Sequence, residues 1–403
     1  MTCAPLSKWL ETAATFSLPG PGVSRFFLTK DHRMLIDYLS EQMRLSGLEV
    51  ELDAAGNLIG HKASRQSDKV LYLGSHQDTV PGGGRYDGML GILTALAALY
   101  ELKDWELPYN VELIAFGDEE GTRFQTTLIG SRAVAGTFDL DVLDLKDDQG
   151  VTLRQALLAF SLNPERIPGI ARSGDKALGY VEIHIEQGPV LEYNNLPLGL
   201  VNAITGIERH LIRIRGKAGH AGTVPMGLRK DALVAATEYV RWLDSYCREN
   251  ENVIGVVGKL NVFPNSVNVI PEHVELTVEL RSPEVERRLA ARNALAIISH
   301  ELMKKGFHIE SELIYSQEAI VCDKRLTSQL EEALKRQQVQ YVRLFSGAGH
   351  DGLAMQKLCP VTMLFVRCKD GLSHHPDEEI DIQDANIAKS VLKDFLVNLT
   401  PPV

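Results

Sequence analysis

Three short segments of this 403-residue chain bring together side chains that could do chemistry: Ser75-His76-Gln77-Asp78-Thr79-Val80, Asp87-Gly88 and Asp118-Glu119-Glu120-Gly121. Imidazole and carboxylate groups suit borderline-hard divalent cations such as zinc or manganese. The chemistry such ions support here is hydrolysis. His76 precedes Asp78 by two, so Asp78 could fix the tautomer of a ligating His76 ring; a solvated surface histidine is the plain alternative. Asp87 follows Gly82, Gly83 and Gly84 and opens a helical pattern, where a carboxylate is commonly just an N-cap. Glu119 and Glu120 are like charges side by side, which repel unless a cation or water separates their roles. Adjacent residues point different ways, so one could bind metal while its neighbour takes a proton from water. His184 lies in a β-branched run, where a histidine is more often hydrogen-bonded core than ligand. Of His374 and His375, two neighbours in one tight turn, one is expected to be a bystander. His220 sits in a small-residue loop, 216–223, that either lets backbone approach a ligand or simply turns.

The elements that must position these residues are legible from hydrophobic periodicity. Apolar runs at 70–75, 111–116, 180–185, 198–204, 341–345 and 361–366 read as strands, with helices at 31–46, 89–102, 324–337, 351–358 and 382–398. This predicts an α/β fold, an αβα sandwich on a mixed sheet, with the ligand-type residues at strand ends, where open α/β sheets place their sites. Between the two halves the rhythm changes to strand 210–215, helix 228–247, strands 253–262 and 272–281, helix 283–303 and strand 307–314. That β-α-β-β-α-β order is the split ferredoxin-like unit. Residues 206–321 are therefore expected to form an inserted domain, with 1–205 and 322–403 forming a discontinuous first domain. Along 272–281, Val274, Leu276, Val278 and Leu280 share one face. Arg281 ends the polar face, and pattern alone makes it a solvated strand end paired with Glu279 or Glu284.

The bulk numbers narrow the class. A net charge of −11 with no Lys/Arg cluster excludes a nucleic-acid footprint, while 44% hydrophobic and 24% charged residues are ordinary for a globular protein. Five cysteines, Cys3, Cys247, Cys322, Cys359 and Cys368, are odd in number and lack CxxC spacing, which favours reduced thiols in a cytoplasmic protein. The first sixteen residues lack a signal-peptide pattern, and the longest apolar run, 89–99, is too short to span a bilayer.

Taken together the motifs resemble a known family. The three segments above, Gly82-Gly83-Gly84-Arg85-Tyr86-Asp87-Gly88, Glu182-Ile183-His184-Ile185-Glu186-Gln187-Gly188, Gly219-His220-Ala221-Gly222-Thr223, Ser266-Val267-Asn268-Val269-Ile270-Pro271, Ser346-Gly347-Ala348-Gly349-His350-Asp351 and Gly371-Leu372-Ser373-His374 follow the order of the hydantoinase/carbamoylase group. These are di-metal amidohydrolases related to aminoacylase and glutamate carboxypeptidase. The group includes allantoate amidohydrolase, N-carbamoyl-L-amino acid hydrolase and β-ureidopropionase, and the likeness covers essentially the whole chain.

The resemblance implies two divalent ions (zinc or manganese) per subunit, with Asp87 bridging them, His76 and His184 completing one site, and Glu120 and His374 the other. It implies Glu119 as general base, Asp78 as a further catalytic residue, and His220 as an oxyanion-stabilising group reaching a neighbouring subunit's site. Asn268, Arg209 and Arg281 become substrate-binding residues, Arg281 gripping a carboxylate bidentately, and Gln187, Gly349 and His350 match further pocket positions. His375 falls where relatives often carry Asn. The implied partners are a small ureido acid and a second copy joined through the insert, which would also close as a lid, hinged near 205 and 321. Glu208 stands where allantoate-type relatives can carry the first of two arginines, and a Glu208 facing the pocket would repel a dicarboxylate-like substrate.

Two other classes compete. Gly347-Ala348-Gly349-His350-Asp351-Gly352 fits G-x-G-x-x-G, with Asp370 further on, yet Asp351 would repel a pyrophosphate. A non-catalytic relative would be expected to have lost at least one of His76, Asp87, Glu119, Glu120, His184 and His374, and all are present.

Overall fold

The protein, seen in a computed structural model that describes residues 6–400, divides into two compact units: residues up to Asn202 with those from Cys322 onward, and Ala203–Val321. The strands, in chain order, are β1 (Glu49–Leu52), β2 (Leu58–Lys62), β3 (Val70–His76), β4 (Asn110–Phe116), β5 (Ala177–Ile185), β6 (Leu198–Ile204), β7 (Gly206–Arg215), β8 (Gly219–His220), β9 (Ile254–Phe263), β10 (Val269–Ile270), β11 (His273–Ser282), β12 (His308–Gln317), β13 (Ile320–Val321), β14 (Tyr341–Ser346) and β15 (Val361–Val366).

The larger unit is built on a mixed sheet ordered β1-β2-β4-β3-β5-β15-β6, with β14 also on β6. Its centre is parallel: β4, β3, β5 and β15 run the same way. Strands of this kind are covered on both faces, and β3, β5 and β15 are buried almost end to end. Helix Met89–Glu101, in which every residue from Met89 to Leu99 is buried, packs on β3, β5 and helix Ile382–Asn398. Short helices Ile129–Val134 and Gly352–Met355 pack on the same central strands and on each other. Sequence periodicity missed helix Leu6–Ala14 and the β1–β2 hairpin, whose four and five residues are too few and too polar to declare themselves.

The smaller unit is an antiparallel sheet ordered β12-β7-β11-β9. Fourth-first-third-second is the strand order of the ferredoxin-like unit read from the sequence. On β7 and β11, Ile212, Ile214, Val274, Leu276, Val278 and Leu280 point one way into a core closed by helices Ala232–Glu249 and Val285–Lys304. A separate two-stranded ribbon pairs β8 with β10. Among the described residues Cys247, Cys322, Cys359 and Cys368 carry free thiols, and Cys3 lies outside them. Nor do those residues include a helix long and apolar enough to cross a membrane.

Candidate active site

Parallel strands end together, so side chains at their carboxyl ends meet without long loops. His76 ends β3 beside Phe116 at the end of β4, and His184, one residue before the end of β5, pairs in register with Phe365 of β15. Gly117 to Glu120 continue β4, and the turn after β15 returns His374.

Asp87 is the point on which these converge. His184 Nε2 lies 3.1 Å and His76 Nε2 3.6 Å from its Oδ1, and His374 Nε2 lies 3.1 Å from its Oδ2. His374 Nε2 is also 3.2 Å from Glu120 Oε1. Asp87 is no helix cap: that position belongs to Gly88 at φ 66°, where a Cβ would run into the His76 carbonyl and ring. His76, His184 and Asp87 are almost wholly buried, whereas His374 is half-exposed. His375 faces solvent beside Asp377, a bystander in position.

The ring orientations test whether these residues fit a cation. His76 Nδ1 lies 3.0 Å from the Asp78 carbonyl oxygen and His184 Nδ1 2.9 Å from that of Ile185. A carbonyl can only accept, so each Nδ1 carries a proton, and in the neutral rings that a metal would require each Nε2 presents a lone pair. Those two lone pairs face each other at 3.4 Å, with the Asp87 carboxylate alongside. Three electron-rich groups in that arrangement repel unless a positive charge sits among them. Burial opposes charge on His76, yet Asp87, Glu119 and Asp78 outweigh it and push the ring well above its ordinary pKa. Asp87 is held well below the carboxylate range, burial being overcome by His184, His374 and His76, and Asp87 and Glu120 push His374 up to about 10. Ligand atoms of His76, Asp87 and His184, of Asp87, Glu120 and His374, and of His76, Glu119 and Glu120 lie within 4.8 Å of one another in each set. The donor set fits a divalent metal.

Asp78 fixes the His76 tautomer, as its spacing suggested, but through its backbone and not its carboxylate. Its backbone carbonyl orients His76, while its carboxylate accepts the N–H groups of Glu119 (3.0 Å) and Glu120 (3.2 Å) and so holds that turn. Glu119 has its carboxyl pushed well above the usual range by burial and by Glu120, Asp351 and Asp78, against the pull of His76. Gln187, at φ 55°, directs its amide to both Asp87 oxygens at 3.3 Å and to Ser373 Oγ at 3.2 Å. Gly349 is half-buried in the turn after β14. His350 is buried behind His184, ring centroids 4.5 Å apart, and its Nε2 meets Ser346 Oγ at 2.7 Å. It therefore braces a candidate ligand ring instead of lining an open face.

Glu378 was missed altogether. Buried, it accepts the N–H groups of Tyr86 (2.9 Å) and Asp87 (3.1 Å) on one oxygen and the Ser373 hydroxyl (2.9 Å) on the other. It thus ties the Asp87 turn to the His374 turn, and Gly84 has no Cβ because one would sit 2.0 Å from this carboxyl group. In sequence it hides inside an acidic run, Asp377-Glu378-Glu379, that reads as solvated.

The remaining residues belong to the smaller unit. His220 is exposed on β8, its Nδ1 accepting the Gly222 N–H at 3.1 Å, which leaves the ring proton on Nε2. Asn268, exposed, sits beside it, its backbone carbonyl accepting the Ala221 N–H at 2.9 Å and its side-chain oxygen accepting the Ser266 hydroxyl at 3.0 Å. Arg209 and Arg281 share the polar face of β7 and β11 with Glu279. Glu208 lies on the other face, buried against Arg288 (3.2 Å) and His210 (3.3 Å). It does not share the side on which Arg209 and Arg281 lie, which removes the repulsion expected of it.

Comparison with known proteins decides the family. Residues 72–398 match Peptidase family M20/M25/M40. The chain belongs to this family. It is 37% identical over 389 residues to the N-carbamoyl-L-amino acid amidohydrolase of Geobacillus stearothermophilus, spanning 96% of this chain and 95% of that one. It is 36% identical to the allantoate deiminase of Arabidopsis thaliana, over 93% of this chain and 78% of the relative. A crystal structure of an amidase of the hydantoinase/carbamoylase family from Burkholderia multivorans superimposes with a TM-score of 0.90 at 30% identity, covering 98% of both chains. This M20 protein is thus a hydrolase of carbon–nitrogen bonds from a metal-dependent family, and the group read from its motifs is the right one.

Proposed function

We propose that this M20 protein hydrolyses the ureido group of a small ureido acid, with allantoate as substrate and an N-carbamoyl-L-amino acid as the second reading. The observation that carries the hydrolytic part is the convergence of His76, His184 and His374 on Asp87 with Glu119 alongside. Two divalent ions, zinc or manganese, would be held by His76, Asp87 and His184 and by Asp87, Glu120 and His374, supplying Lewis-acid polarisation of the scissile carbonyl and a more acidic water. Glu119 takes a proton from the attacking water and returns it to the departing nitrogen. The products are ammonia, carbon dioxide and an amine. His220 offers its Nε2–H to the carbonyl oxygen as negative charge grows there, a contact whose loss typically costs about 2.7–4 kcal/mol. Asn268 presents its amide hydrogens, and Arg281 takes the carboxylate.

Allantoate is preferred because Arg209 stands beside Arg281 on one face. A bis-ureido acid offers a carboxylate to one guanidinium and a neutral carbonyl to the other. The second reading rests on the relative from Geobacillus, whose name states that activity. Exposed apolar residues on edge strand β9, Ile254, Val256, Leu260 and Phe263, support pairing with a second copy through the insert, with His220 supplied across the dimer and the insert closing as a lid. The odd cysteine count without CxxC supports a cytoplasmic setting. Ammonia release from a panel of ureido acids, each with zinc and with manganese, tests the reading. Turnover of peptides but of no ureido acid overturns it, and a fully active monomer in sedimentation overturns supply of His220 by the partner.

A further inference from the structure

The loop that carries His220 is braced from inside by Arg229. Between β8 and helix Ala232–Glu249 the chain makes a turn, 221–229, whose base is closed by a bridge between Lys217 and Lys230. Thr223 and Val224 each donate an N–H to the His220 carbonyl at 3.3 Å, so the turn wraps back on the histidine. Half-buried Arg229 spans this turn. Its Nε donates to the Val224 carbonyl at 3.0 Å and its Nη2 to the Ala221 carbonyl at 2.5 Å. The guanidinium is planar and rigid, so one side chain fixes both carbonyls in direction as well as in distance.

Two peptide units follow the His220 ring, and they are held differently. The His220–Ala221 unit is secured on both sides, its carbonyl by Thr223 and Val224 and its N–H by the Asn268 carbonyl at 2.9 Å. The Ala221–Gly222 unit has the ring on one side and Arg229 on the other: its N–H donates to His220 Nδ1 at 3.1 Å, and its carbonyl is the one that Nη2 holds. A trans peptide points its C=O and N–H in opposite directions. Arg229 therefore sets which group the ring meets. Were this unit to rotate by half a turn, a carbonyl oxygen would face Nδ1. The neutral ring would then carry its proton there, and Nε2 would change from donor to acceptor. Gly222, without a Cβ, opposes that rotation little.

We propose that Arg229 is a positioning residue for His220: by holding the Ala221–Gly222 peptide it keeps the neutral ring protonated on Nε2, the form able to donate to a substrate's carbonyl oxygen. This rests on the reading of His220 as the oxyanion-stabilising group. The contact is made as negative charge grows on that oxygen, so the effect of Arg229 falls on kcat and not on KM.

Nitrogen NMR of the zinc-loaded, histidine-labelled enzyme reads the tautomer directly, with the His220 signals identified by their loss in His220→Ala. The parent's neutral ring should carry its proton on Nε2. Arg229→Met, which keeps the apolar stem and loses both donors, should move population toward Nδ1. In turnover of the best ureido acid, His220→Ala should lower kcat by about 10²–10³-fold. Arg229→Met should lower kcat by about tenfold with KM changed less than about threefold, and should lower it by less than about twofold in the His220→Ala background. If His220→Ala leaves kcat unchanged, the reading of His220 fails and takes the inference with it. If His220→Ala lowers kcat while Arg229→Met leaves the tautomer unchanged, or acts equally in both backgrounds, only the role of Arg229 fails. Should Arg229→Met not fold, Arg229→Gln, too short to span both carbonyls, takes its place with the same outcomes.

Discussion

Two groups of buried carboxylates, one in each unit, are handled in opposite ways. In the smaller unit every buried acid has an arginine of its own: Glu208 pairs with Arg288, and Glu279 with Arg209 and Arg281. In the larger unit Asp78, Asp87, Asp118, Glu119, Glu120, Glu182 and Asp351 crowd the strand ends, and there Asp87 and Glu120 meet histidines, His76, His184 and His374. Arg123, the cation that acts on Asp118, pairs with Asp147 instead. Both carboxyl oxygens of Asp118 and of Asp351 are buried without a hydrogen bond, and burial holds both groups well above the usual carboxylate range. Protein interiors tolerate buried charge when it is paired or when it coordinates metal. The smaller unit follows the first course. The larger unit is arranged for the second, and its crowding of carboxyl groups around three histidines is the physical mark of the site.

That contrast can be broken experimentally. Chelation of divalent ions should abolish turnover and lower the melting temperature of the larger unit, because it uncovers the repulsion among the acids. The smaller unit, which balances its own charges, should melt as before. Full activity after chelation, with no ion detectable by elemental analysis, would end the account. Glu119→Gln should retain the bound metal and lose about 10²–10⁴-fold in kcat; metal-replete protein with normal turnover would remove Glu119 from the base role. Arg288→Met should do the converse, leaving metal content intact while destabilising the smaller unit by about 3 kcal/mol, the low end for a broken buried pair, since Glu208 keeps only His210 at 3.3 Å and the half-exposed Arg292 at 3.7 Å. Urea unfolding of the variant measures this, and a loss under about 1 kcal/mol would mean that water relieves Glu208.

The smallest effect comes from His32, a buried histidine of the larger unit set among arginines and not among acids. Burial, reinforced by Arg25, Arg33 and Arg123, lowers its pKa to about 3, and Nδ1 accepts the Leu28 N–H at 3.0 Å. The unfolded chain takes up a proton below about pH 6.5 that the fold refuses, so stability is complete above that pH and falls as pH drops toward 3. At pH 5 the loss is about 2 kcal/mol. Urea midpoints at pH 7 and pH 5 for the parent and for His32→Gln should differ in slope by this amount, and parallel slopes would show that the ring titrates normally.

The contrast also explains what was legible. Ligand-type residues at the ends of apolar runs stood out because apolar strands and polar tips differ sharply, and His76, Glu120 and His374 stood out that way, whereas His184, which pattern alone read as hydrogen-bonded core, entered through the family resemblance. The fate of Glu208 was readable too, though the departure from the allantoate pattern obscured it. Glu208 shares its parity with His210, Ile212 and Ile214, so the period of two in a strand places it with the core. Glu378 could not be read, because nothing local separates a buried acid from the solvated acids on either side of it. The stretch between β4 and β5 folds into short helices and turns without a sustained period, and periodicity had nothing to register. The division of labour within Asp78 escaped as well, since spacing cannot say whether a carbonyl or a carboxylate does the holding.

The position of β15 has a consequence for biosynthesis. It lies between β5 and β6, so the middle of the sheet joins a strand made before the insert to one made after it. His374 and Glu378 emerge from the ribosome later still. A nascent chain bearing His76, Asp87 and His184 thus lacks both the central strand and the tie that closes the cluster until translation has passed residue 378.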